Sequence, residues 1–273
     1  PHTHNLEEII DITSEMNRSP MSDNMVTYGV SMGENAGAAL KNDGTVVTWG
    51  SASDLTSSVQ SQLTNVKAFS MGGNVGAALK NDGTVITWGN YRGPRSTQSV
   101  WFEAAEISNP DSKDLTNVKA ISMGRYAGAA LKNDGTVVTW GDNSYGGSSY
   151  NVRRILRTVR SSPDAPLAIK AISMGGMAGG ALRNNGTVVT WGYSWDGGDS
   201  SYVRNQLTDV KAISMGGSAG AALKNNGTVV LWGDRDKGGS NNTNVDLTDV
   251  KAISMGGSAG AALKNNGTVV LWG

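Results

Sequence analysis

Short apolar runs alternate with glycine-marked breaks along this chain, and the alternation recurs six times between Thr27 and Gly273. In the fifth copy the run Val210-Lys211-Ala212-Ile213-Ser214-Met215 stops at Gly216-Gly217. Ala219-Gly220-Ala221-Ala222-Leu223-Lys224 follows, then Asn225-Asn226-Gly227, then Thr228-Val229-Val230-Leu231-Trp232-Gly233. Runs this short, rich in β-branched residues and bounded by Gly and Asn, predict strands rather than helices. Asn-Gly and Asp-Gly tolerate the positive φ that two-residue hairpin turns require. That signal separates two apolar runs at Asp43-Gly44, Asp82-Gly83, Asp134-Gly135, Asn185-Gly186, Asn226-Gly227 and Asn266-Gly267. The run with Gly and Ala in place of large side chains is expected where neighbouring backbones crowd together. Three strands per copy are therefore predicted. A fourth is expected from the linker, where Gln62-Leu63-Thr64-Asn65-Val66 returns as Gln206-Leu207-Thr208-Asp209-Val210.

Each copy closes on a tryptophan, at Trp49, Trp88, Trp140, Trp191, Trp232 and Trp272, in steps of 39, 52, 51, 41 and 40 residues. Residues 211–233 and 251–273 are the same to the letter. A repeat of this length marks one supersecondary module used repeatedly, each copy burying its apolar face on the next. Short antiparallel strands every forty-odd residues suit a propeller blade or a β-solenoid coil, and tight antiparallel hairpins favour the propeller. We expect an all-β propeller over residues 27–273, with units ending near 50, 89, 141, 192, 233 and 273. The six tryptophans, each beside a Gly at a strand end, are expected in the core.

The phrase V-K-A-I-S-M-G-G-x-A-G-A-A-L-K-N-D-G-T-V-V-T-W-G resembles the repeat of the regulator-of-chromosome-condensation (RCC1) family, and all six units carry it. The resemblance implies a β-propeller, usually of seven blades, so the six visible units make either a six-bladed propeller or an incomplete seven-bladed ring, and the second is favoured. It also departs from the family pattern. A His common two residues after the Gly-Gly pair is here Ala36, Val75, Ala127, Ala178, Ala219 and Ala259. The best-known relative of this repeat is a guanine-nucleotide exchange factor, so a small GTPase enters as a partner by family analogy only. No exchange loop is legible in this chain.

Composition narrows the chemistry. Lys+Arg and Asp+Glu are both 23, a balance that does not point to nucleic acid or an anionic membrane. No apolar run is long enough for a membrane-spanning helix. The absence of cysteine excludes disulfides, thiolate metal sites and cysteine nucleophiles. The only histidines, His2 and His4, lie in the terminal segment, leaving a Ser-His-Asp triad no base in the array. We expect no catalysis, no cofactor and no metal. Asn185, Asn226 and Asn266 begin Asn-Gly-Thr, a glycosylation pattern that the hairpin requirement already explains.

What remains lies outside the repeat. Residues 1–26 form a separate segment, in which Leu6, Ile9, Ile10 and Met16 predict a short helix capped by Asn5 with Glu8. Two linkers are longer than the others. One holds Trp101 between Pro94 and Pro110; the other places Val152, Ile155, Leu156 and Val159 on one helical face, with Arg153, Arg154, Arg157 and Arg160 around it. Arginine forks suit carboxylate and phosphate, although charged runs are often only a solvated face. The slots after Met-Gly also vary between copies: Glu34-Asn35, Gly73-Asn74, Arg125-Tyr126, Gly176-Met177, Gly217-Ser218 and Gly257-Ser258. Drift in a surface loop competes with specialisation there. Candidate partner-binding residues are Glu34, Asn35, Asn74, Trp101, Arg125, Tyr126, Arg153, Arg154, Arg157, Met177 and Trp195. Three functions are weighed: a non-enzymatic protein-interaction scaffold within a larger complex, an exchange factor, and a secreted lectin-like or inhibitory propeller. The scaffold is favoured, because broad repeat faces broken by irregular insertions suit protein partners.

Overall fold

The predicted runs fold as strands in every unit of a computed structural model, which describes residues 30–33, 36–50, 57–73, 75–91, 100–101, 115–159, 162–242 and 244–273. The expected N-terminal helix, and Arg160, lie outside the described residues. Unit one comprises β1 (Val30–Met32), β2 (Ala36–Leu40) and β3 (Val46–Gly50). Unit two comprises β4 (Val66–Met71), β5 (Val75–Lys80) and β6 (Val85–Tyr91), with β7 (Val100–Trp101) added at its edge. Units three to six follow with β8 (Val118–Met123), β9 (Ala127–Lys132), β10 (Val137–Gly141), β11 (Ile169–Met174), β12 (Ala178–Arg183), β13 (Val188–Gly192), β14 (Val210–Met215), β15 (Ala219–Lys224), β16 (Val229–Gly233), β17 (Val250–Met255), β18 (Gly260–Lys264) and β19 (Val269–Trp272). Each unit is one antiparallel sheet in which the middle strand lies between the first and the last. First strands of consecutive sheets pack on one another, and each also packs on the preceding middle strand, so the sheets follow one another as propeller blades. The fold is the all-β propeller arrangement expected, with six blades among the described residues.

Two expectations need correction. Among the described residues the linker segment supplies no fourth strand to the recurring unit. Its Leu207 is buried as an anchor, and Asp209 takes φ 58°, in the left-handed region that Asp and Asn tolerate. From there the Asp209 carbonyl accepts the Asn225 backbone N–H at 2.9 Å, and its carboxylate accepts the Asn225 amide at 2.6 Å. Among the described residues only the second sheet gains a fourth strand, by pairing Val100–Trp101 with Asn90–Tyr91. The hairpin turns also differ from two-residue loops. Gly227 N–H donates to Lys224 O at 3.0 Å and Lys224 N–H to Thr228 O at 2.9 Å, leaving three residues in the loop. Only the glycine of the pair is left-handed, at φ 82°, while Asn226 Oδ1 accepts from Thr228 N and Oγ1. This is a turn followed by a glycine bulge, the usual three-residue hairpin. Its glycine carbonyl then binds the next unit, since Val250 N–H donates to Gly227 O at 2.9 Å.

The core is divided among the junctions between blades. At the fourth, Ala178 and Leu182 of one sheet meet Val210, Met215, Ala222, Val230 and Trp232 of the next, with Val203 and Leu207 from the linker between. Within each blade the tryptophan covers the glycine of the middle strand. A β-carbon on Gly220 would stand 2.3 Å from Trp232 Cζ2 and 2.9 Å from Met215 Sδ. The same holds for Gly37, Gly76, Gly128, Gly179 and Gly260 beneath their own tryptophans. A backbone-to-side-chain hydrogen bond joins consecutive first strands: Met215 N–H donates to Ser173 Oγ at 2.9 Å, with equivalents at Met71, Met123, Met174 and Met255.

Five closing tryptophans are buried to 3% exposure or less, whereas Trp49 is 38% exposed. Met32 and Val30, on the same unit, are exposed as well. Among the described residues blades one and six do not pack on each other, and blade six leaves Ser254, Ala259 and Leu271 in the open. The core role expected of the tryptophans thus depends on a neighbouring blade.

Replacing Gly220 by Ala forces a β-carbon into the Trp232 ring and should cost about 1–3 kcal/mol by overpacking. Trp232→Ala should cost about 3–5 kcal/mol, and Trp49→Ala clearly less. Urea unfolding of the three variants against the parent chain checks the ranking.

Candidate functional site

Among the described residues, two segments of units three and four hold most of the candidates that depart from the repeat. The first is the turn between β8 and β9. In units two to six the position after Met-Gly is glycine except at Arg125, because these turns crowd against one another. A β-carbon on Gly176 would lie 2.5 Å from Gly217 O, and one on Gly217 2.3 Å from Gly257 O. Arg125 is accommodated beside Gly73, and its exposed guanidinium lies 5.0 Å from the centre of the Tyr126 ring. Tyr126 itself is buried, tilted against Tyr145 with centroids 5.2 Å apart. Tyr145 in turn meets Tyr193 of the next unit at 6.1 Å. Tyr126 is therefore a support for Arg125 more than a surface of its own. Met177, in the equivalent turn of unit four, is half-buried, and its carbonyl accepts Tyr193 N–H at 2.9 Å.

The second part is the linker between units three and four. Asp142 caps a single turn over Asn143–Tyr145 by accepting Ser144 N–H at 2.9 Å. Gly146 follows at φ 100°, and its carbonyl takes the indole N–H of Trp191 at 3.0 Å. Two further turns follow: Tyr150–Val152 packs on β13 of the next unit, and the five-residue helix Arg153–Arg157 lies on the outer strand β10. Val152, Ile155 and Leu156 pack on the core as the sequence pattern predicts, with Leu156 fully buried. Val159 does not join them: the helix ends at Arg157, Thr158 is extended, and Val159 is exposed. The apolar stripe thus orients the helix so that Arg153 and Arg154 are exposed and Arg157 half-buried. Trp195, in the corresponding single turn of the next linker, is 80% exposed.

Of the remaining candidates, Glu34, Asn35 and Asn74 lie outside the described residues, and Trp101 contributes backbone pairing to β7. Two features were not foreseen. One is a short helix, Ser57–Gln62, in the first linker. The other is a polar cleft between the third and fourth units, lined by the linker turns. A one-residue shift between the tyrosines of two otherwise parallel linkers, Tyr150 against Tyr202, is the signal in the sequence that marks that cleft.

The ionised side chains at the hairpins are structural. Hydrogen bonds from Thr45 and Thr84 hold the carboxyls of Asp43 and Asp82 below the usual carboxylate range. Asp246 is lowered further, to about 2, by the Lys264 ammonium and by Thr248. Lys264 binds the Asp246 carboxylate across the last linker, joining it to the end of β18.

Packed three-stranded blades joined first strand to first strand define a repeat β-propeller. Residues 118–146 match the model of the regulator of chromosome condensation (RCC1) repeat, so this is an RCC1-like repeat propeller. Solved structures agree on the fold. Prp20p from Saccharomyces cerevisiae is similar with a TM-score of 0.62 at 17% identity, covering 90% of this chain and 71% of that one. Human WBSCR16 gives 0.57 at 17% identity, over 89% and 75%. The CRINKLY WD40 ectodomain of the Arabidopsis thaliana receptor kinase ACR4 gives 0.55 at 17%, over 90% and 78%. No curated protein matches the chain in sequence.

The carboxyl of Asp246 is depressed, so the stability it adds is complete above its ordinary value near 4 and lost as pH falls toward about 2. The thermal midpoint of Asp246→Asn should fall below that of the parent at pH 6, and the two should converge near pH 2. A gap that persists at pH 2 would remove the ion pair as its cause.

Proposed function

We propose that this chain is a non-enzymatic protein-interaction scaffold whose contact surface centres on units three and four. The observation that carries this reading is where the irregular residues stand. Arg153 and Arg154 are exposed on a linker lengthened by an insertion, and Trp195 is exposed on the linker that follows, while the blades beneath them keep the common packing. Trp and Arg are the side chains most enriched at the energetic centres of protein interfaces. A tryptophan 80% exposed adds little to the fold that carries it. The corresponding residues in neighbouring linkers are Ser144 and Asp236, so the position does not require an indole. Arg153 and Arg154 stand on a helix whose apolar side is engaged with the core, which limits what they lose on binding. Their guanidinium groups favour an acidic surface on the partner.

Prp20p, which shares this fold, has binding properties toward Gsp1p and histones, so at least one protein of this fold binds other proteins. That likeness supports a binding role and leaves the partner of this chain to experiment. Stimulated nucleotide release from a small GTPase would instead select exchange activity.

Cross-linking mass spectrometry on the full chain isolated from its native source should yield a stoichiometric partner, with cross-links concentrated near units three and four. The double variant Arg153→Glu, Arg154→Glu should lose those cross-links, with its thermal midpoint unchanged. Retention of the partner by that variant overturns the assignment of the surface.

A further inference from the structure

The linkers after units three and four are built on one plan and differ at one position that has a chemical consequence. Each runs from a single turn through a glycine pair, Gly146-Gly147 or Gly197-Gly198, to a second turn, Tyr150–Val152 or Ser201–Val203. In the fourth linker Tyr202 extends its phenol across to unit five, where the oxygen accepts the N–H of Gly233 at 2.7 Å. Five residues beyond the first glycine of the pair, the third linker has Asn151 where the fourth has Tyr202. The counterpart of Gly233 at the end of the outer strand is Gly192. An asparagine is too short to make the same bridge. Instead, a cleft of about 510 Å³ lies between units three and four, bordered by Asn143, Ser144, Asn151, Gly192, Ser194 and Asp199. The tyrosine of the third linker comes one residue earlier, as Tyr150, which also borders the cleft and is 79% exposed.

The lining determines what fits. The side chains of Asn143, Ser144, Asn151 and Ser194 have no hydrogen-bond partner among the described residues, which leaves amide and hydroxyl groups facing a concave space. Asp199 is held ionised by hydrogen bonds from Ser201 N–H, at 2.8 Å, and from its hydroxyl, which depress its carboxyl, and a carboxylate accepts several hydroxyl donors. Among the described residues no lysine or arginine borders the cleft, so phosphates and acidic sugars find no counter-charge there. Apart from the rings of Tyr150 and Trp191 the lining is polar, which disfavours an apolar side chain as occupant. A volume of this order suits a small organic ligand.

We propose that this cleft binds neutral carbohydrate. A sugar ring rests its apolar face on Tyr150, places one hydroxyl on the N–H of Gly192 as Tyr202 places its phenol on Gly233, and shares the rest among Asn143, Asn151 and Asp199. The proposal goes beyond the scaffold reading and does not depend on it, since the arginine helix contributes no side chain to the cleft.

The test is calorimetric titration of the full chain with maltohexaose, cellohexaose, mannohexaose and chitohexaose. At least one should bind. Asn151→Tyr should supply the missing phenol, fill the cleft and weaken that binding by roughly ten-fold or more, a loss of about 1.4 kcal/mol. Its thermal midpoint should match or exceed the parent's. Tyr150→Ala should weaken binding by roughly two- to ten-fold, the range of one aromatic contact. No binding of any of the four, binding that Asn151→Tyr leaves unchanged, or displacement of the sugar only by a tyrosine-bearing peptide that binds more tightly would each overturn the proposal.

Discussion

Everything in this array depends on an indole lying flat on a backbone that has no side chain. In each unit the closing tryptophan occupies the volume where a β-carbon of the middle strand would otherwise be, at approaches of 2.1–2.5 Å. The methionine that ends the first strand presses on the same glycine, its sulfur 2.6–2.9 Å from that absent carbon in units two to five. Soft sulfur against an aromatic edge adds dispersion without demanding a single geometry. Three strands are thereby locked by one large, one polarizable and one missing side chain. In the last three blades the indole N–H also ties to the preceding linker, at Gly146, Gly197 and Gly238. Trp88 and Trp140 have no such partner among the described residues, and their linkers lack the paired-glycine turn. The tie is thus a property of one linker design, whereas the lock belongs to every blade.

The lock makes a blade but not an array. Blades are joined by three small contacts: serine hydroxyl to methionine N–H near the axis, hairpin carbonyl to the next first strand at one rim, and glycine against glycine at the other. Glycine matters at the second rim because a β-carbon on Gly72 would lie 2.0 Å from Gly124 O. Each contact is modest, about 1 kcal/mol for a net hydrogen bond. Repetition turns them into a one-dimensional stack whose stability depends on nearest neighbours. The exposure of Trp49 and Met32 follows directly. Their blade has the same lock, but no described neighbour covers the surface that its equivalents bury.

Periodicity is why so much of this was legible before any coordinates. The three strands of each unit, the hairpin positions, the buried tryptophans of units two to six and the packing of Val152, Ile155 and Leu156 are dictated by local pattern. The three-residue length of the hairpin loops and the exposure of Val159 are not. Two segments were misread. The Leu-Thr-Asn/Asp-Val segment looks like a strand because it alternates, yet Asn65, Asn117, Asp209 and Asp249 turn left-handed and end any pairing. That choice is made by tertiary partners, Asn133, Asn225 and Asn265 at three of those positions, which sit sixteen residues away and leave no local trace. The helix expected through Val159 likewise stops at Arg157, because the core contacts that hold it end with Leu156. At the candidate site, the residue types were readable and their exposure was not. Arg125 and Tyr126 look alike as contact residues in sequence, but the structure exposes one and buries the other beneath it.

This division of labour has a consequence for where new binding chemistry can arise in such a chain. Blade residues answer to the lock and to both neighbours at once, so a change at Gly220 or Met215 propagates through two junctions. Apart from anchors such as Leu156, Val203 and Leu207, linker residues beyond the glycine pair, Asn151 and Tyr202 among them, answer mainly to solvent and to one edge strand. Exchange of Asn for Tyr between two linkers therefore costs one hydrogen bond at the rim and opens a cleft without disturbing a blade. Insertion of the arginine helix costs little more, because Leu156 and Ile155 replace the surface it covers with core contacts. Function in this array should accordingly be sought where two copies of the same phrase stop agreeing, and units three and four are where the described linkers disagree most.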